Sequence, residues 1–181
     1  MSDLLRLLGG DVAAAARGLL GRTLISEIEG ASSAVVLTEV EAYGGEDDPA
    51  SHSFRGRTAR NAAMFGPPGM LYVYRSYGIH WCLNAVTGPE GRGSAVLLRG
   101  GIPIGGIEQM EQRRGRSDHV ADGPGRLAQA LGVTGDHNGA SLSVGPVRIE
   151  GVPARGKITV GPRVGISRAT DRPWRFLLEL V

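Results

Sequence analysis

The period of the apolar positions changes along the chain and marks out its elements. Val12, Ala15, Ala16 and Leu19 recur at helical spacing, which predicts a helix over Val12–Leu20. Asp11 stands where an N-cap belongs, and Gly21 where the helix closes. Thr23–Ile28 reads as a strand, and Ala34–Glu41 as a second with a buried middle at Val35, Val36 and Leu37. Glu39 and Glu41 lie two apart, so both side chains leave one strand face. Gly44–Ser53 is a polar loop. Thr58 is placed to cap a short helix through Arg60–Phe65, and Gly66-Pro67-Pro68-Gly69 forces a turn. Met70–Arg75 and Ile79–Val86 read as strands joined at Ser76-Tyr77-Gly78, which puts Tyr77 at a hairpin tip.

Ser94–Leu98 is a third apolar strand, ending at Arg99. Gly106–Arg114 and Gly125–Leu131 read as helices. Arg113, Arg114, Arg116 and Asp118 form a mobile basic loop between them. Ser141–Glu150, Lys157–Val160 and Trp174–Leu180 finish the chain as strands. No repeat, linker or low-complexity tail interrupts the pattern. The expectation is a single α+β domain over residues 1–181, built from short, mostly antiparallel strands.

Composition narrows the class. With 181 residues, 41% hydrophobic and 21% charged, the chain has ordinary globular character and the length of one domain. Cys82 is the only cysteine, which excludes an internal disulfide and a cysteine-based zinc cage. The longest apolar runs are about five residues, too short to span a membrane. Asp3 and Arg6 interrupt the first apolar stretch, so no signal-peptide core is expected, and a reducing cytoplasm is the expected compartment.

The net charge is +2 and the pI about 9.0. Lys157 is the only lysine; every other basic side chain is an arginine. That bias reflects either phosphate recognition by guanidinium forks or codon composition, so placement decides. Glu39, Glu41, Glu46, Asp47 and Asp48 cluster together, and no acid follows from Pro49 to Pro89. That window holds Arg55, Arg57, Arg60 and Arg75. Phe54, Phe65, Tyr72, Tyr74, Tyr77 and Trp81 share it, with Tyr43 just upstream. Arginines among aromatics without acids suit a surface that meets phosphates and stacks bases. An aromatic core hairpin flanked by solvated arginines has the same composition.

Turn tips favour Gly, Asn, Asp and Pro, so Tyr77 is unusual there. It either inserts into a partner, as apolar wedges between base steps do, or packs on its own hairpin. Tyr72 and Tyr74 alternate with Leu71 and Val73. The tyrosines therefore form either a stacking platform or a second buried face. His80 and Cys82 share a strand face, but no spacing supplies the further ligands of a metal. His119 and His137 fall in predicted solvated loops. Glu41 ends a strand two residues before Tyr43. It is either a general base or an ordinary strand-end acid, solvated or paired with an arginine. The Glu46–Asp48 cluster reads as a metal site or, more simply, a solvated acidic loop.

TEVEAYGGEDDPASHS, then RGRTARNAAMFGPPGMLYVYRSYGIHWCLN, then AVLLRGGIP stand in this order, with DGPGRLAQALG and PRVGIS downstream. This series resembles the alkyladenine (3-methyladenine) DNA glycosylase family from about Leu19 to Leu180. The resemblance implies a curved, open-barrel-like antiparallel sheet flanked by short helices, with a protruding β-hairpin. It implies a monomer that needs no cofactor or metal. Its partner is duplex DNA containing damaged purines, from which alkylated or deaminated bases are hydrolysed. By the same resemblance Glu41 is the general base. Tyr43, His52, Tyr74, Asn84 and Arg99 form the base pocket, with Asn84 screening the exocyclic group. Tyr77 fills the gap left by the flipped base. Arg57, Arg60 and Arg75 are candidate backbone binders. His80-Trp81 departs from the Tyr-Phe pair of some relatives.

Two expectations concern the chemistry. Strand-nicking glycosylases need an amine nucleophile. The only candidates are Lys157, distant from the motifs in sequence, and the N-terminal amine, which predicts a monofunctional enzyme. Neutral leaving groups need an acid, for which His52 is the one candidate nearby. The rival reading is a nucleic-acid binder without turnover, to which a carboxylate facing the sugar would be a liability.

Overall fold

The computed structural model describes residues 2–180. Two short helices lead the chain. Helix α1 spans Asp3–Leu8 and helix α2 Val12–Leu19. The Asp11 carboxylate accepts hydrogen bonds from the Ala13 and Ala14 N–H groups, satisfying donors that the helix leaves unpaired. Leu4, Leu8, Val12, Ala15, Ala16 and Leu19 then face the core.

Eight strands follow: β1 Thr23–Ile28, β2 Ala31–Tyr43, β3 Leu71–Ser76, β4 His80–Thr87, β5 Ser94–Gly105, β6 Val147–Glu150, β7 Gly156–Gly161 and β8 Arg175–Leu180. Helices α3 (Ile107–Arg114) and α4 (Pro124–Leu131) sit between β5 and β6. All pairings are antiparallel, in the order β3-β4-β5-β2-β1-β6, and β8 joins β2 with β7 outside it. This makes a curled half-barrel. One edge of β2 serves two partners: Ala31–Val36 pairs with β1, and Glu39–Glu41 with β8. Its other edge pairs with β5 over Ala34–Tyr43, with register shifts after Ala34 and on both sides of Glu39.

One face of the sheet holds the core. Leu71, Val73, Leu83, Val96, Leu98, Val40 and Ala42 project there against the helices. The opposite face carries Tyr72, Tyr74, Asn84, Leu97 and Glu41, as strand alternation requires. Tyr72 is nevertheless buried, in a small second cluster with Met64, Phe65, Val86 and Ala95. Tyr74 is half-buried and packs against the same cluster.

Several boundaries differ from those expected. Helix α1 was hidden by its short length. β2 and β5 extend well beyond Ala34–Glu41 and Ser94–Leu98. Their ends are rich in small and polar residues and become strand only by pairing, Ala31–Ser33 with β1 and Gly100–Gly105 with the middle of β2. Of Ser141–Glu150 only Val147–Glu150 is strand, and the helix expected over Arg60–Phe65 is a 3-10 turn at Ala62–Phe65. The supposed basic loop is mostly fastened. The half-buried Arg113 donates to the Ser33 hydroxyl and to the Ala130 and Ile28 carbonyls, which ties α3 to the sheet. His119 is exposed beside Asp122, whereas the His137 ring caps a 3-10 turn by accepting from the Thr134 N–H.

The packing makes a simple prediction. Leu98 is 0% exposed at the centre of β5, whereas Ile104 near its end is 54% exposed. Leu98→Ala is expected to lower unfolding stability by about 2–5 kcal/mol. Ile104→Ala should change it by less than about 0.5 kcal/mol, as read by urea denaturation of both variants.

Candidate active site

The sheet register assembles the site. Tyr72 lies opposite Asn84, Asn84 opposite Leu97, and Leu97 opposite Glu41, so one row crosses four strands on the face opposite the core. Tyr74 and Cys82 pair one step nearer the hairpin tip, and Tyr43 lies beyond Glu41 at the other side. The register slips from Glu39↔Gly100 to Val40↔Leu98, leaving Arg99 unpaired in a bulge. A bulge redirects its side chain, and here it turns the guanidinium along the acidic face of β2.

A cavity of about 340 Å³ lies over this row. Tyr43, His52, Tyr74, Asn84 and Arg99 all line it, and Arg60 and Tyr77 stand at its rim. Tyr72 and Tyr74 stack with centroids 5.7 Å apart, and the His52 ring meets Tyr74 edge-on at 4.4 Å. Asn84 is buried and donates from Nδ2 to the Tyr72 carbonyl. Burial, and secondly the charge of Arg60, hold the His52 pKa below its ordinary 6.5. The imidazole is therefore neutral at pH 7.

Glu41 is fully buried beneath the cavity. Its Oε2 accepts from the Tyr43 hydroxyl at 2.8 Å, and its Oε1 accepts from the Val164 N–H at 2.7 Å. Arg99 Nη1 lies 3.5 Å from the same Oε1. All three partners line the cavity. Burial, then the Glu41 carboxylate, push the Tyr43 phenol far above its ordinary range, so it remains a donor. Burial alone would lower the Arg99 pKa, but Glu41 and Glu39 outweigh it and raise the value. Glu41 is thus an arginine-paired acid, without being solvated.

Two loops close around this centre. The 162–174 loop brings Val164, Gly165 and Ile166 to the cavity wall. Arg163 beside them has a fully buried side chain, paired in bidentate fashion with the equally buried Asp48. Arg163 also donates to the Ala42 carbonyl and lies 4.8 Å from the Tyr43 ring centroid. The second loop carries His52. Asn61, itself buried, donates from Nδ2 to the His52 and Gly56 carbonyls, and Ser53 donates to the Gly93 carbonyl. Thr58 does not cap a helix but hydrogen-bonds with Asn61.

The acidic cluster is therefore divided. Asp48 is an internal ion-pair partner, Asp47 pairs with Arg92 at the surface, and Glu46 is exposed. Among the described residues no group of three acids, histidines and cysteines is arranged to hold a metal. The metal reading is set aside, and the solvated-loop reading fails for Asp48. At the hairpin tip Tyr77 is 91% exposed and has φ of +50°, a left-handed conformation disfavoured for a large side chain. It does not fold back on its own hairpin. Arg57, Arg60 and Arg75 are all exposed. Arg60 donates to the Arg75 carbonyl, and Arg75 lies over Trp81 at 5.4 Å. The sequence named Glu39 and Asp48 without these pairing roles, and did not single out Asn61, Arg163 or Val164. PRVGIS contains the last two, but no local spacing reveals a partner more than a hundred positions away.

An aromatic cavity over a buried carboxylate, with an acid-free arginine rim and an exposed aromatic tip, defines the class: a nucleic-acid-acting protein with an enzymatic centre. The chain matches the family model described as "Methylpurine-DNA glycosylase (MPG)" over residues 6–180. A protein of Rhodopseudomonas palustris (strain BisB18), named "Putative 3-methyladenine DNA glycosylase", is 53% identical over 163 residues, which is 89% of this chain and 79% of the relative. Relatives of the same name from Nitrosospira multiformis and Rhodococcus jostii are 48% and 51% identical, covering 89% and 90% of this chain and 82% and 75% of their own. The chain belongs to the methylpurine-DNA glycosylase family. It is accordingly a DNA glycosylase, a hydrolase of N-glycosyl bonds. Among the described residues no helix is long and apolar enough to cross a membrane.

The Asp48–Arg163 pair can be tested directly. Burial raises the Asp48 pKa, but the Arg163 hydrogen bond and the Gly44 N–H outweigh it and hold the value below 3.8. Its stabilising contribution is therefore complete well above pH 3.8 and lost as pH falls through the depressed value. Asp48→Asn should destabilise the fold by about 3–5 kcal/mol at pH 7, because Arg163 keeps a buried, unpaired charge. The difference from the parent protein should shrink below about pH 4, as read by denaturant titration across pH.

Proposed function

We propose that the protein is a monofunctional glycosylase acting on alkylated or deaminated purines in duplex DNA. Its substrates on this reading are 3-methyladenine, 7-methylguanine and hypoxanthine. The observation that carries it is the Glu41 carboxylate beneath the aromatic cavity, oriented at both oxygens. A base inside a duplex cannot reach such a floor, so the nucleotide is extruded into the cavity. Tyr77 fills the gap in the stack, which gives a reason for a strained, exposed tyrosine at the tip.

Within the cavity Tyr43, His52 and Tyr74 flank the base. Aromatic faces favour electron-poor, cationic purines through stacking and cation–π attraction. Asn84 opposes the exocyclic amino group of guanine and admits hypoxanthine. Glu41 takes a proton from a water whose oxygen attacks C1′. The C1′–N bond breaks, its electron pair leaves with the base, and an abasic site remains. Arg99 and the Val164 N–H hold the carboxylate in place. The neutral His52 is poorly suited to protonate a departing base. Lys157 lies exposed on the outer strand β7 and does not line the cavity, which supports hydrolysis without strand cleavage.

The first test is single-turnover excision of hypoxanthine, with and without alkali. Glu41→Gln should retain lesion-DNA affinity and lose excision by at least about a hundredfold, the scale of a general base. Unchanged excision by this variant would remove Glu41 from the mechanism. Wild-type strand breaks that need no alkali would overturn the monofunctional reading. Tyr77→Ser should weaken binding to lesion duplex by about tenfold. It should leave the thermal unfolding midpoint unchanged or slightly raised, since the exposed ring contributes no packing. Equal affinity in an equilibrium titration would end the wedge role.

A further inference from the structure

A second groove, of about 350 Å³, adjoins the cavity and is separated from it by nothing more than a shared wall. His52, Gly165 and Ile166 line both. The groove adds Phe54, Arg55 and Arg168. Phe54 is 38% exposed, and among the exposed large hydrophobic residues only it and Tyr77 are aromatic. The two rings border the joined cavities from different loops. Arg55 and Arg168 are exposed, and neither forms an ion pair or a side-chain hydrogen bond among the described residues. No Asp or Glu lines the groove. Among the described residues most other arginines have acidic, carbonyl or aromatic partners; Arg6, Arg57 and Arg155 are equally unpaired but line neither the cavity nor the groove.

The chemistry of these walls is specific. Two unneutralised guanidiniums attract phosphate, and a phenyl edge with an isoleucine beside it offers apolar contact to a sugar. The groove is open and lacks the enclosing rings that would sandwich a base. A nucleotide extruded into the cavity leaves its strand at the cavity mouth, and that strand must cross one adjoining surface. We infer that this groove carries the backbone of the lesion strand beside the flipped nucleotide, with Arg55 and Arg168 on phosphates and Phe54 against a sugar. The inference rests on the base-flipping reading and adds the path of the strand to it. The loop that presents Phe54 and Arg55 is the one that Asn61 pins, and the loop of Arg168 is anchored by Arg163. Both walls are thus held before DNA arrives.

The test is equilibrium binding of the full chain to a hypoxanthine duplex over a salt series. The proteins are wild type, Arg55→Ala/Arg168→Ala and Phe54→Ala. Phosphates flanking the lesion are replaced singly by methylphosphonate. Loss of two phosphate contacts should make the log–log salt slope of the double variant shallower by about two. Phe54→Ala should weaken binding several-fold without moving the slope. Methylphosphonates on one side of the lesion should weaken wild type and leave the double variant unaffected. An unchanged slope, or methylphosphonate effects of equal size in both proteins, overturns the assignment. Excision by the wild-type chain is followed separately at saturating protein. A wild-type chain that excises no purine would defeat the glycosylase reading, while the methylphosphonate coupling would still decide the groove.

Discussion

The buried Asp48–Arg163 ion pair joins two loops that lie at opposite ends of the sequence, and the geometry around Glu41 depends on it. Both side chains are fully removed from water. Such a pair overcomes its desolvation cost only with further hydrogen bonds, and here those bonds are specific. Gly44 N–H donates to Asp48, and Arg163 donates to the Ala42 and Ala169 carbonyls. The guanidinium is also sandwiched between Tyr43 at 4.8 Å and Trp174 at 5.4 Å. A hydrophobic pair of equal volume could match its stability. It could not fix the direction of the next residue, Val164, whose N–H must point at Glu41.

From that anchor the positioning passes along β2. A single oxygen of Glu39, Oε1, accepts from Arg99 at 2.7 Å and from Arg175 at 2.8 Å. Glu39 thereby holds Arg99 by its Nε and leaves Nη1 to face Glu41. The bulge at Arg99 is what allows this. Without it, regular pairing would continue past Glu39, and the guanidinium would not lie between two carboxylates on one face. Two acids and two arginines at one sheet crossing neutralise one another. Every carboxylate at this crossing thus has a guanidinium partner, and the fully buried Glu41 also has the Tyr43 hydroxyl and the Val164 N–H.

The sequence states this arrangement unevenly, for physical reasons. β1 has the bounds that its pattern predicts, and Leu71 and Val73 face the core as alternation requires. Period-2 patterning is local information. The longer reach of β2 and β5 is not, because the Ala31–Ser33 end of β2 is strand only against β1 and the Gly100–Gly105 end of β5 only against β2. Asp48 illustrates the same limit. In sequence it is one acid among three neighbours, and only the tertiary fold separates it from the exposed Glu46 and the surface-paired Asp47. The residues carried over by resemblance do converge on one cavity, whereas the supporting Glu39 and Arg163 act through partners distant in the chain, and Asn61 through main-chain carbonyls that no side-chain pattern marks. The family match also begins at residue 6, earlier than the motifs suggest, so it includes the second half of the helix that periodicity missed.

On the proposed reading, the division between rigid and exposed parts matches what base extrusion requires. Discriminating one purine from another needs walls that do not yield, and each wall here is tied down. Asn61 pins the His52 loop, Arg163 the Val164 loop, and the sheet register holds the tyrosines and Asn84. Opening a duplex needs the reverse, a side chain that reaches out before any cavity contact exists. Tyr77, 91% exposed on a left-handed turn residue, has no internal partner to give up when it enters a stack. Its backbone strain is borne by a short three-residue loop closed by the Ile79 N–H on the Ser76 carbonyl. A flexible tip would lose ordering entropy on binding, and a buried one would have to unpack first. A strained but well-formed turn avoids both costs, so on the proposed reading the wedge and the pocket are each organised in advance for their separate steps.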